Sequence, residues 1–464
     1  MRRLLLAVLL LALSGTAFSQ QRWERTYGGT SDDGGYSVQQ TSDGGYIVAG
    51  TTNSFGASSQ VYLIKTDASG DTLWTKTYGG SRDDGGYSVQ QTQDLGYIIA
   101  GGTTSFGDST QIYLIKTNTT GDTLWTRTYG GMNLEFGYSV QQTTDGGYIV
   151  TGYTLSFGSG SQVYLVKTNA LGDTLWTRNY GGMGDDEGHF VQQTSDGGYI
   201  VAGYTGSFGA GYYDVYLIKT NASGDTLWTR TYGGMSYDYS YSVQQTSDGG
   251  YIVAGRTESF GNGLSDVYLI KTNVSGDTLW IRTYGGASWD YGYSVQQASD
   301  GGYIVAGWTL SFGNTRQVYL IKTNASGDTL WTRTYGGASY DYGYSVQQSS
   351  DEGYIVAGWT ESFGNGWQVY LIKTDSLGRS TGVEETAEGR GQKLEVWITA
   401  TPNPFTIFTT VPGHEAERFS LYDISGRKVG TFRGDRVGEG LRAGVYFVRA
   451  EGGEGKPVRV VKVR

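Results

Sequence analysis

The chain has 464 residues, among them 76 Gly, 38 Tyr and 12 Trp, with 4 Pro, 2 His, no Cys and a formal charge of −10. Aromatics at 14 % supply apolar area that disordered chains lack, and so much Gly excludes a helical protein; absent Cys excludes disulfides, thiolate metal sites and a Cys nucleophile. Residues 22–379 carry 33 acidic against 19 basic side chains, which excludes nucleic acid and anionic membrane surfaces as main partners.

The N-terminus MRRLLLAVLLLALSGTAFSQ reads as a secretory signal peptide over 1–19: a basic start, an apolar run from Leu4 to Leu13, and small residues Ala17 and Ser19. The rival reading, an uncleaved membrane anchor, needs a longer apolar core. No later stretch approaches a transmembrane span, so an exported mature protein is expected. From residue 22 an internal repeat takes over. The tetrad TYGG or NYGG places its Tyr at 27, 78, 129, 180, 232, 284 and 335, giving seven copies of about 51 residues that end near 379. All four prolines (402, 404, 412, 457) lie beyond that point, which marks a domain boundary independently.

Each copy contains four runs with strand character, YSVQQ, YIVAG, VYLIK and TLWTRTY in the copy from Tyr284. SDGG joins the first two as a hairpin loop. Its last position is Gly in every copy (45, 96, 147, 198, 250, 302, 353), while the preceding position accepts Leu95 and Glu352. The expectation is that only the last position needs positive φ. NASGD makes a second hairpin, so each copy is a four-stranded antiparallel meander. Seven such copies predict an all-β fold, a seven-bladed β-propeller over 22–379, in preference to an open β-solenoid, whose rungs are shorter. The array opens on a fourth strand around Trp23 and stops after a third strand, VYLIKTD, so the N-terminal strand is expected to complete the last blade. The fourth-strand Trp residues 23, 74, 125, 176, 228, 280 and 331, with a preceding turn such as Asp67…Gly70, resemble the tryptophan-docking motif of quinoprotein propellers, at a spacing one residue shorter. That resemblance implies packing between blades; a quinone or any other cofactor is not expected.

Alternation sorts the connections into a constant face (SDGG, NASGD) and a variable face (the TYGG-to-YSV and SFG-to-VYL loops), where a ligand is expected. Aromatics beside carboxylates there, Tyr237, Tyr239, Trp289, Tyr291, Tyr340 and Tyr342, together with Tyr153, Tyr204, Trp308 and Trp359 after the AG or TG pair, are the candidate ligand-binding residues, since rings stack on apolar sugar patches and Asp accepts from hydroxyls. The bland alternative is that the rings fill gaps between loops. The paired carboxylates Asp32/Asp33, Asp83/Asp84 and Asp185/Asp186, with Glu187, are candidates for Ca²⁺, although none falls in a spaced calcium-loop pattern. His189 replaces the Tyr found at 36, 87, 138, 241, 293 and 344, and Phe190 replaces the following Ser, which reads as a compensating repack. Asn118, Asn221, Asn273 and Asn324 form sequons inside the NASGD-type turns and serve as turn residues.

Residues 380–392 are a polar linker, and 393–464 change texture. ATPNPF (400–405), FSLYDISGRKVG (419–430), AGVYFVRA (443–450) and VRVVKVR (458–464) resemble the C-terminal sorting domain of type IX secretion substrates. The resemblance implies a small immunoglobulin-like β-sandwich, secretion machinery as partner, and attachment to the outer-membrane surface or release. Flagellar-hook-assembly immunoglobulin-like domains share the YDxxGR and GxY features. The combined expectation is an exported, monomeric, non-enzymatic propeller acting as a binding or adhesion module on a glycan or surface protein. A secreted polysaccharide-active enzyme using acidic loops, or a structural surface protein without a ligand, are the alternatives.

Overall fold

The computed structural model describes residues 21–382, 418–423, 427–433, 442, 444–450 and 458–462; the signal-peptide segment, most of the linker and the ATPNPF motif lie outside the described residues. The chain divides into two units, 1–385 and 386–464. In the first, Asp33–Gln40, Tyr46–Thr52, Gln60–Thr66 and Thr72–Tyr78 pair in that order as an antiparallel sheet. The same sheet recurs at 84–129, 135–180, 186–232, 238–284 and 290–335. The seventh combines Asp341–Gln348, Tyr354–Thr360 and Gln368–Thr374 with Trp23–Tyr27 as its outermost strand. Trp23 lies opposite Lys373 and Tyr27 opposite Val369, so the first strand of the array closes the last sheet. These sheets are numbered here as blades 1 to 7, and the fold is an all-β seven-bladed propeller.

The two middle strands of each blade are buried on both faces, which their nearly continuous apolar runs require. The cores lie between blades: Ile47, Ala49 and Leu63 of blade 1 pack against Tyr97, Ile99 and Tyr113 of blade 2. Three sets of polar bonds repeat at the seams. The TYGG tyrosine hydroxyl donates to the turn Gly carbonyl of the next blade at 2.6 Å, from Tyr27 to Gly70 round to Tyr335 to Gly378. Near the axis, the first Gln of each QQ pair accepts the backbone N–H of the next blade's second Gln at 2.5–2.7 Å, a circle completed by Gln40 N–H to Gln347. The Ser before that Val-Gln-Gln accepts the next blade's Val N–H at six of the seven seams. At the remaining one Phe190 stands in place of the Ser. The fourth-strand Trp docks between blades as expected, Trp23 lying against Gly70 and donating from Nε1 to Ala68 O at 3.2 Å.

The SDGG turn corrects the sequence reading by one residue. Positive φ falls on its third position, at 80–85° for Gly44, Gly146, Gly197, Gly249 and Gly301 and at 65° and 66° for Leu95 and Glu352. The fourth position is Gly for a different reason: a Cβ at Gly45 would lie 2.1 Å from Thr66 O. Close approach, not handedness, fixes it. The first strand is also longer than YSVQQ. It starts at Asp33 and carries a bulge between Gly35 and Ser37, which brings the second half of each first variable loop into the sheet.

The described part of the second unit is one antiparallel sheet of Arg418–Asp423, Lys428–Arg433, Gly444–Ala450 and Val458–Lys462, with Arg418–Asp423 between the second and third of these. Phe419 and Leu421 are buried.

Candidate functional site

The bulged first strands carry alternate side chains to the variable face. At its axis Tyr36, Tyr87, Tyr138, His189, Tyr241, Tyr293 and Tyr344 form a closed circle of neighbouring rings with centroids 4.8–5.9 Å apart. The axial cavity, about 210 Å³, is lined by Ser, Val, Gln and Phe190, with no carboxylate among its lining residues.

Outside that circle lies an asymmetric arc. Tyr212 stacks on Tyr237 at 5.1 Å, and Tyr237 neighbours Tyr239. The Arg256 guanidinium sits 4.2 Å from the Tyr239 ring and 4.6 Å from the Tyr291 ring. Tyr291 contacts Trp308, Trp308 contacts Tyr342, Tyr342 contacts Trp359, and Trp359 stacks on Trp367. Packed side chains therefore run without a gap from blade 4 to blade 7, rings throughout except where the Arg256 guanidinium bridges Tyr239 and Tyr291. Blades 1 and 2 carry Gly34, Thr51, Gly85 and Gly102 at the corresponding positions, so the face is lopsided.

The predicted aromatics divide by exposure. Trp308 (4 % exposed), Trp359 (8 %) and Tyr342 are buried, so they support the surface and do not form it. This corrects the expectation that they stack on a ligand: each is covered by the next ring along the arc. Tyr340 is 44 % exposed beside Arg316. Tyr204, Tyr237, Tyr239, Trp289 and Tyr291 are half-buried. Tyr153 is half-buried too but belongs to a separate pair with Phe136 on blade 3. Two accessible rings of the arc escaped sequence reasoning: Tyr212 (68 % exposed) and Trp367 (41 %), both at the ends of SFG-to-VYL loops. Aligning the residues just before VYL across the copies would have found them, since Trp367 stands where other copies have Ser, Thr, Arg or Tyr.

The paired carboxylates separate. Asp32, Asp83 and Asp185 accept the backbone N–H of Trp367, Ser59 and Ser161 across the seam from the preceding blade. Asp33, Asp84 and Asp186 turn inward, accepting from the N–H of Gly29, Gly80 and Gly182 and from the hydroxyls of Ser54, Ser105 and Ser207. Adjacent residues of an extended chain point to opposite sides, so the two members of a pair cannot chelate one ion together. Among the described residues no group of three or more His, Asp or Glu is placed to hold a metal.

Blade 4 departs from the repeat. Burial holds the Glu187 carboxyl up at about 7, countered by a hydrogen bond with Tyr204, and burial holds His189 down at about 4. His189 Nε2 lies 3.8 Å from Glu187 Oε2, and the imidazole stacks on Tyr138 at 4.8 Å.

No protein-family model matches the chain. It is similar to the Caulobacter vibrioides regulatory protein FlaEY, 27 % identical over 229 residues, 42 % of this chain and 23 % of that protein. The match thus spans under a quarter of the relative's length. Among solved structures, the Pan2 WD40 domain of Neurospora crassa superposes with TM-score 0.45 at 10 % identity, covering 76 % of this chain and 94 % of that one. PorZ, a surface component of the type IX secretion system of Porphyromonas gingivalis, gives 0.35 at 11 % identity, covering 89 % and 65 %. The propeller assignment rests on the strand pairing and not on these likenesses.

Proposed function

We propose that the chain is an exported binding module that takes an extended glycan along the arc from Tyr212 to Trp367. A closed ring that gathers its sequence variation on one face suits a binding or scaffold role. The observation that carries the glycan reading is the run of packed rings, bridged once by Arg256 and ending at each side in a stacked, exposed ring. Flat platforms whose planes are already fixed lose little entropy when a sugar ring stacks on them. Delivery would fall to the C-terminal unit, supported by the motifs at 400–405, 419–430 and 443–450.

Affinity electrophoresis of the full mature chain through a panel of soluble polysaccharides tests the binding role. Retardation by at least one polymer, reduced tenfold or more in a Trp367→Ala/Tyr212→Ala variant, is expected. No retardation by any polymer overturns it. Fusing 393–464 to a reporter in a type IX-competent host tests delivery.

A second reading, an enzyme on the same polymers, is favoured by one observation: a buried carboxyl near neutrality, Glu187, is what a general acid requires. Product release abolished by Glu187→Gln would support it.

A further inference from the structure

We infer that the ligand is an acidic glycan and that Arg316 receives its carboxylate. This rests on the glycan reading of the arc and specifies its class. Arg316 lies at the seam of blades 6 and 7, its guanidinium 4.9 Å from the Trp308 ring, 5.4 Å from Tyr340 and 5.5 Å from Tyr342. One of its N–H groups donates to the Tyr342 hydroxyl. Its backbone is fastened, the carbonyl accepting from Asp341 N–H at 2.9 Å and from the Gln317 amide at 3.1 Å.

What sets Arg316 apart from Arg256, the other cation of the arc, is the missing anion. At the neighbouring seam the cation is Arg256, which stands in the register of Trp308 and Trp359 and pairs with Glu258 at 2.5 Å. On the outer strands Arg127, Arg178, Arg230 and Arg282 each pair with an Asp. Among the described residues Arg316 forms no ion pair. Glu361, the acid on its own seam, is occupied: one oxygen accepts from Trp367 Nε1 and the other from Ser339 Oγ at 2.9 Å. A guanidinium has five donors in a planar fork that fits a carboxylate through two parallel bonds. Here the fork is held against rings, beside the exposed Tyr340, with a single donor bond to protein.

The acidic body opposes a polyanion at long range, but beyond about 8 Å that field is screened at physiological ionic strength. Local geometry then decides. A hexuronate residue supplies both requirements at once, an apolar ring face for the aromatic platform and a carboxylate for the fork.

The test compares polygalacturonate and alginate with their methyl-esterified forms, which keep the sugar and remove the charge, at 0.15 M salt by calorimetry on the mature chain. Dextran sulfate serves as an anion without carboxylate. At least tenfold tighter binding of the free acid is expected, with that preference erased in Arg316→Gln and partly kept in Arg316→Lys. Trp367→Ala should weaken acid and ester alike. Equal affinity for acid and ester, or an unchanged preference in Arg316→Gln with an intact melting transition, would overturn the role of Arg316 and leave the arc standing. Dextran sulfate binding as tightly as the uronates would overturn the carboxylate assignment. Failure of every polymer, charged or neutral, would remove the glycan reading itself.

Discussion

The indole of Trp367 lies flat on that of Trp359, with 4.5 Å between centroids and 14° between planes. Trp359 lies on the strand Tyr354–Thr360 and Trp367 in the loop just before Gln368–Thr374, yet one is buried and the other open to solvent. Their roles should separate on mutation. Trp359→Ala empties a packed site and should lower stability by about 3–5 kcal/mol. Trp367→Ala gives up one exposed stack and should lower it by only about 0.5–1.5 kcal/mol while abolishing most binding. Denaturant midpoints alongside binding isotherms check both.

The seam between blades 7 and 1 carries the chain's closure. Tyr27→Phe deletes the hydrogen bond to Gly70 and should cost about 1 kcal/mol. Deleting residues 21–27 should do far more, because it bares the edge of Gln368–Thr374. Light scattering should then report association of chains through that edge.

The constant face should fail in acid. Asp43, Asp94, Asp145, Asp196, Asp248, Asp300 and Asp351 each grip a buried Lys, as Asp43 grips Lys65 at 2.9 Å. Burial raises these carboxyls, but the Lys ammonium and the donors of the turn outweigh it and hold them low, Asp145 and Asp248 at about 2. A depressed carboxyl stabilises fully above its unfolded value of about 4, and that contribution is lost as pH falls through the folded value. Melting temperature should therefore drop between pH 4 and pH 2, and the drop should be shallower in Asp145→Asn/Asp248→Asn, which starts lower.

Blade 4 should hide two opposed slopes. Glu187, raised to about 7, stabilises below its unfolded value of about 4.3, and the effect is lost as pH rises to 7. His189, lowered to about 4, contributes above its unfolded value of about 6.5, and that is lost as pH falls. In the parent chain the two offset each other. Melting scans of His189→Tyr should show stability declining from pH 4.5 to 7, and those of Glu187→Gln should show it climbing over the same interval.

The turn positions invert ordinary glycine logic. Leu95→Gly and Glu352→Gly relieve left-handed backbone at φ 65° and 66° and should each stabilise by about 0.5–1 kcal/mol after the entropy of Gly is deducted. Gly96→Ala, one residue on, drives a Cβ to 2.2 Å from Thr117 O and should prevent folding of that blade. Thermal melts of the single variants decide.

Blade number, strand order and the pairing of Trp23–Tyr27 with the last blade were readable because a 51-residue period and its truncated ends are one-dimensional facts. The site was readable only as a face. Which ring covers which depends on seams between copies, so Trp308 and Trp359, adjacent in pattern to exposed positions, turned out buried. Trp367 and Arg316 sit in the loop whose length varies most, where register between copies is hardest to assign. The Asp pairs looked like ligands because sequence adjacency conceals the alternation that parts them. Gly45 is legible in the sequence as an obligatory Gly but not for its reason, since a clash with a carbonyl twenty-one residues away leaves no local signature.

All seven seams are fastened by the same Tyr-to-Gly and Gln-to-backbone bonds, whatever the residues above them. Any blade can thus dock onto any other with identical clasps, and the ligand-facing positions are free to drift, duplicate or be transplanted as cassettes. A lineage, or an engineer, could rewrite what the face holds while leaving the ring's assembly untouched.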